Sequence, residues 1–183
     1  MTTPRRRAHD DPINSMGLAV ESVSLSRRAF LRARSRTELN APRRPPWALP
    51  EAAFVARCTR CDACVEACPT GVLRPAEGGY PVVDFSRAAC SFCARCVEQC
   101  IPQALSPAAA AQPWALKAVI GQGCLALHGV ECRVCGECCE GSAIRFRPRV
   151  GGVVLPVVDA EACTGCGACV GPCPTRAIAM ESV

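Results

Sequence analysis

Aromatic side chains are scarce: one Tyr, two Trp and five Phe make up 4% of the 183 residues. A chain with so little bulky material cannot fill an ordinary core. Small proteins in that position are usually stapled by covalent bridges or metals. Long apolar runs are also missing, and a membrane-spanning helix needs roughly 18 or more such residues. The most apolar cysteine-free stretch, around Ala108 to Ile120, is broken by Pro113 and Lys117. No transmembrane segment is therefore expected. A Gly-rich dinucleotide fingerprint, a phosphate loop and a nucleophile elbow are absent as well. The two histidines, His9 and His128, have no partner motif, and His128 reads as a surface residue. These absences point away from an enzyme. The basic residues are not interleaved with aromatics, so nucleic-acid binding is not expected either.

What the chain has instead is 17 cysteines. Such a density signals either a disulfide scaffold or dense metal binding. Charge is uneven: residues 1–50 hold 10 Arg against 4 acidic residues, whereas residues 51–183 hold 11 basic and 12 acidic residues and every cysteine.

Cysteine spacing decides between the two. Cys58-x2-Cys61-x2-Cys64-x3-Cys68 recurs as Cys90, Cys93, Cys96 and Cys100, and again as Cys163, Cys166, Cys169 and Cys173. This is the bacterial ferredoxin run, in which three cysteines wrap one loop around a [4Fe–4S] cube and the fourth serves the other cluster of a pair. The fourth is expected where the chain turns into a helix, and the prolines after Cys68 and Cys173 suit a first helical turn. Zinc sites pair two CxxC units at longer range, and cysteines separated by two residues make poor disulfide networks. The crossing assigns Cys58, Cys61, Cys64 and Cys100 to a first cluster, and Cys90, Cys93, Cys96 and Cys68 to a second.

A further motif is irregular. With Cys132, Cys135 and Cys138 as its triplet, Ser142 falls where the fourth cysteine belongs. The downstream residues favour another frame. After each fourth cysteine come three residues and then a small–aliphatic pair: Val72-Leu73, Ala104-Leu105, Ala177-Ile178. Ala143-Ile144 stands at that offset from Cys139. Cys124 then replaces a first ligand missing at Gly129. The third cluster would use Cys124, Cys132, Cys135 and Cys173, and the fourth Cys163, Cys166, Cys169 and Cys139, leaving Cys138 over. A degenerate motif would leave three clusters. The availability of all four ligands favours four.

The expected fold is α+β, as tandem two-cluster ferredoxin-like modules. Residues 1–50 read as a basic flexible arm, 51–105 as the first module, 106–123 as a linker and 124–183 as the second module. Gly78-Gly79 and Gly151-Gly152, each between short β-branched runs, predict hairpins. Ala41 to Trp47, with three prolines, reads as an extended linker into the body. Pro113 is a possible start for a short helix running to Ile120. Bound clusters add charge of about −2 each, so four would make the body acidic, near −9. Ser26-Arg27-Arg28-Ala29-Phe30-Leu31-Arg32 is similar to a twin-arginine export signal, but polar residues follow it, so a cytoplasmic protein is expected.

Taken together, several segments resemble the NapF ferredoxin-type proteins of the periplasmic nitrate reductase system. They are Ser26-Arg27-Arg28, Arg44-Pro45-Pro46-Trp47, Cys58-Thr59-Arg60-Cys61-Asp62-Ala63-Cys64, Gly78-Gly79-Tyr80-Pro81, Cys124-Leu125-Ala126, Phe146-Arg147-Pro148 and the run Cys163 to Cys169. The resemblance covers residue 26 to the end. It implies a cytoplasmic iron–sulfur accessory protein that acts on the molybdenum-containing catalytic subunit before export, by supplying electrons or cluster components. An electron-transfer subunit and a soluble polyferredoxin carrier are the competing readings.

Overall fold

The computed structural model describes residues 42–109 and 112–182. The run from Ser26 to Arg32 and His9 lie outside the described residues. Pro42–Val183 forms one unit.

The first half of this unit begins with helix α1 (Glu51–Arg57), whose one buried side chain is Phe54. Helix α2 (Ala63–Glu66) follows, then strands β1 (Leu73–Pro75) and β2 (Pro81–Val83) and helix α3 (Arg95–Glu98). β1 and β2 are antiparallel, pairing Leu73 with Val83. Gly78 and Gly79 turn the chain between them with φ of 80° and 76°, a region open to glycine because it lacks Cβ.

The second half repeats the plan with longer strands. β3 (Leu116–Ile120) pairs with β6 (Ile178–Ser182), and helix α4 (Val134–Glu137) precedes the hairpin of β4 (Ile144–Arg149) and β5 (Gly152–Val158). Each hairpin ends on an aspartate that starts the next cysteine loop. The amides of Asp84 and Asp159 donate to the carbonyls of Val72 and Ala143, both at 2.8 Å. Their carboxylates accept from the amides of Ser86 and Glu161, both at 3.1 Å. These are Asx turns, in which a short carboxylate satisfies the backbone two residues on.

Three expectations need correcting. Pro113 to Ile120 does not form a helix: Leu116–Ile120 is strand β3. Leu116 and Ala118 point inward and alternate with exposed Val119, and the whole run pairs with β6, so a partner strand overrides the local signal. The residues 106–123 are consequently not a plain linker. Nor is the stretch 42–50 a free arm. Pro45 and Pro46 are buried, the Trp47 amide donates to Pro113 O at 2.7 Å, and Ala48 bridges Leu105. That bridge is the first half's short counterpart of the β3–β6 pair. Last, where a motif has a helical turn it lies before the fourth cysteine, not after it: α2, α3 and α4 end at Glu66, Glu98 and Glu137, ahead of Cys68, Cys100 and Cys139.

The core is thin and includes thiols. Phe54, Val72, Leu73, Phe85, Leu105, Ile144, Ile178 and Met180 are buried together with Cys96, Cys163 and Cys169. No charged or polar residue is buried among the described residues. Among the same residues, no helix is long and apolar enough to cross a membrane.

Candidate metal centres

Most candidate ligands stand on the cysteine loops, with Cys64, Cys96 and Cys135 in the short helices α2, α3 and α4, and the loop backbone is unusual in a repeated way. Arg60, Asp62, Phe92 and Ala94 have φ of 58°, 58°, 52° and 60°, and Gly165 and Gly167 have 80° and 79°. These are the same two places in three motifs, between the first and second and the second and third cysteines. A left-handed non-glycine residue costs about 1 kcal/mol or more. In each of these three motifs the winding accompanies three successive cysteines that line one hollow.

Four hollows result, each lined by four cysteines. The first has Cys58, Cys61, Cys64 and Cys100. The second has Cys68, Cys90, Cys93 and Cys96. The third has Cys124, Cys132, Cys135 and Cys173. The fourth has Cys139, Cys163, Cys166 and Cys169. Their volumes, open mouths included, are about 350, 320, 360 and 370 Å³ in that order. The irregular motif thus makes a hollow of the same size as the regular ones. In every hollow one thiol comes from a different motif than the other three, which is the crossing anticipated from the spacing. Cys138 lines none of the four.

The frame of the irregular motif is visible in the backbone. Three residues beyond Cys68, Cys100, Cys139 and Cys173 stand Gly71, Gln103, Ser142 and Arg176, with φ of 67°, 55°, 50° and 52°. Four residues beyond, the amides of Ala143 and Ala177 donate to Cys139 Sγ and Cys173 Sγ, each at 3.3 Å. Cys138 stands one place out of this pattern. The first part of the motif departs from the rule. Gly129 takes the left-handed turn after a short helical turn over Leu125–His128, and Arg133 has φ of −127°. Cys124 reaches the third hollow from before that turn. His128 is exposed and its Nε2 lies 2.8 Å from Gln122 O, away from any cysteine set.

The electrostatics fit a bound cationic core. Burial pushes the Cys64 thiol up to about 11, with Cys100, Cys58 and Cys61 adding to it. Burial raises Cys96 and Cys169 to about 12, and Cys90 and Cys135 to about 11. For Cys135 the neighbouring thiols Cys124 and Cys132 add to the rise, so these three members of the irregular set feel one another. Four thiolates crowded into apolar surroundings repel one another and lose hydration. Positive iron at the centre reverses both penalties. Among the described residues, no three His, Cys, Asp or Glu side chains form a group that could hold a single metal ion.

Comparison with known proteins gives the same chemistry. A family profile described as a 4Fe-4S dicluster domain matches residues 57–104, and one described as a 4Fe-4S binding domain matches residues 156–179. The ferredoxin-type protein NapF of Escherichia coli strain K12 is 43% identical over 159 residues, covering 87% of this chain and 96% of that protein. NapF of Haemophilus influenzae is 44% identical with the same coverage of both chains. The methylamine utilization ferredoxin-type protein MauM of Paracoccus denitrificans is 34% identical over 92% of this chain and 82% of its own length. The chain binds multiple [4Fe–4S] clusters, and no catalytic family is among these matches. Sequence reasoning missed no cysteine that lines a hollow. It did miss Trp47, which lines the second hollow, because a tryptophan beside prolines carries no ligand signal.

Proposed function

The chain belongs to the family of NapF ferredoxin-type proteins, and from that premise we propose a [4Fe–4S] accessory protein, cytoplasmic, that assists maturation of a periplasmic nitrate reductase catalytic subunit before its export. Its body is an α+β pair of two-cluster ferredoxin modules carrying four clusters. The ligand sets are Cys58, Cys61, Cys64 and Cys100; Cys68, Cys90, Cys93 and Cys96; Cys124, Cys132, Cys135 and Cys173; and Cys139, Cys163, Cys166 and Cys169. The first module begins near Pro42 and ends near Leu105, and the second runs from the start of β3 to the C-terminus.

The observation that carries the cofactor part is the set of four similar hollows, each lined by four thiols. The clusters, when bound, supply reversible one-electron chemistry. The protein's own contribution is to exclude water, to crowd apolar side chains around the thiols, and to aim amides at sulfur, as Ala143 and Ala177 do. No acid–base group is needed for that work.

A second reading, which the likeness to a methylamine utilization ferredoxin-type protein keeps open, is an electron-transfer subunit or a soluble polyferredoxin carrier. An anaerobic pull-down with the holo-protein as bait separates the readings. Capture of the unexported nitrate reductase catalytic subunit, without the mature periplasmic form, is the expected result. Failure to capture it while the bait keeps its clusters would leave a general electron carrier.

A further inference from the structure

Two ferredoxin-type halves in one chain need not communicate. Here they touch through ligand loops. The amide of Cys90, which lines the second hollow, donates to the carbonyl of Cys166, which lines the fourth, at 2.9 Å. Aromatic side chains seal the surroundings. Trp114 packs edge-on against Phe85 at 5.6 Å and against Phe92 at 5.5 Å between ring centroids. Phe92 lines the second hollow. The Trp114 indole also closes on Gly165, where an added Cβ would lie 2.7 Å from its Nε1, and the Phe85 ring occupies the place a Cβ on Gly167 would need. Glycine at 167 thus makes room for Phe85 of the other half, and glycine at 165 for the Leu116 carbonyl and the Trp114 indole, while the left-handed φ at both spares them the strain a side chain would add.

We infer that the four hollows form one series, in the order first, second, fourth, third, with the Cys90–Cys166 contact as its central joint. The remaining joints follow from the crossing. Residues 64–68 and 96–100 each carry one ligand of the first hollow and one of the second, and residues 135–139 and 169–173 do the same for the third and fourth.

Burial agrees with this order. The buried ligands Cys96, Cys163 and Cys169 all belong to the two inner hollows, while neither outer hollow has a buried ligand. Cys93, exposed on an inner hollow, is the exception. The outer hollows are thus the natural places for an electron to enter and leave. The process moves one electron per event from a low-potential one-electron donor to a one-electron acceptor, and no atom or proton is transferred. This inference rests on the four-cluster reading, and its test is chosen to fail separately from it.

The test is electron paramagnetic resonance of the full holo-chain reduced with dithionite. Cys61→Ser removes the first cluster and leaves the second with a neighbour only across the joint. About four irons per chain should be lost, and the second cluster's signal should stay broadened or split by spin coupling. Cys132→Ser is the mirror case for the fourth cluster. A narrow, uncoupled signal amounting to one spin per chain in either variant would overturn the series. Should both variants lose all their iron, pulsed dipolar measurement on the unaltered reduced chain decides. A set of spin–spin distances longer than the within-half set supports the series, and its absence overturns it. An unaltered chain holding about twelve irons would sink the third cluster alone, since Cys61→Ser still tests the second against the fourth.

Discussion

Cys138 and Cys139 are neighbours in the chain, yet only one lines a hollow. Cys139 Sγ accepts from the Ala143 amide and stands three residues before left-handed Ser142, as Cys173 stands before Arg176. Cys138 closes α4 and lines none of the four hollows. Replacing each in turn should therefore have unequal effects. Cys139→Ser is expected to lower iron and acid-labile sulfide by about four per chain, from about sixteen to about twelve, and Cys138→Ser to leave both unchanged. Equal loss in the two variants would return the motif to the frame with Cys138 as a ligand. Anaerobic iron and sulfide analysis reads the difference directly.

Among the elements, α1 has the clearest energetic role. Its seven residues bury one side chain, Phe54, which is 0% exposed. Phe54 lines the first hollow, and the Arg44 guanidinium sits 4.9 Å from its ring centroid. Arg44 also forms an ion pair with Glu51 at 2.7 Å, which holds the Glu51 carboxyl below its usual range. One aromatic ring thus joins the strap of residues 42–49, the helix and the first ligand set. Phe54→Ala should lower the stability of the holo-protein by about 3–5 kcal/mol, the usual cost of emptying a buried aromatic site. Val55→Ala, at 39% exposure, should stay within about 0.5 kcal/mol. Thermal unfolding under anaerobic conditions compares the two. Similar midpoints would mean that the strap and helix contribute little.

At the scale of the molecule, the scarcity of aromatics noted at the outset reappears as a core made of short aliphatic residues and thiols. The three two-stranded sheets and four short α-helices among the described residues bury too little apolar area to hold themselves together. The clusters must supply the rest, as structural metals do in other small domains, where the free energy of metal binding is folding free energy. Removing iron with a chelator under anaerobic conditions should therefore abolish most of the far-ultraviolet circular dichroism of the body. A spectrum unchanged after iron loss would contradict a metal-dependent fold.

The cofactor class was legible in the sequence because cysteine spacing is a local property, set by how one loop wraps a cube, and the same spacing indicated which cysteines line each hollow together. The hairpins were legible for the same reason, since Gly78-Gly79 and Gly151-Gly152 force turns wherever they stand. Even the irregular frame could be read, from the offset of Ala143-Ile144 beyond Cys139. Strand β3 was hidden because its partner, β6, lies some 60 residues away and pairing energy outweighs the proline signal at Pro113. The packing of Pro45, Pro46 and Trp47 was hidden likewise, as nothing in a proline-rich run states what will cover it. The meeting of Cys90 with Cys166 is the furthest from sequence. Both are ordinary members of regular motifs, and only the docking of the two halves, with Trp114, Phe85 and the bare backbone of Gly165 and Gly167 at the joint, decides which hollow lies beside which.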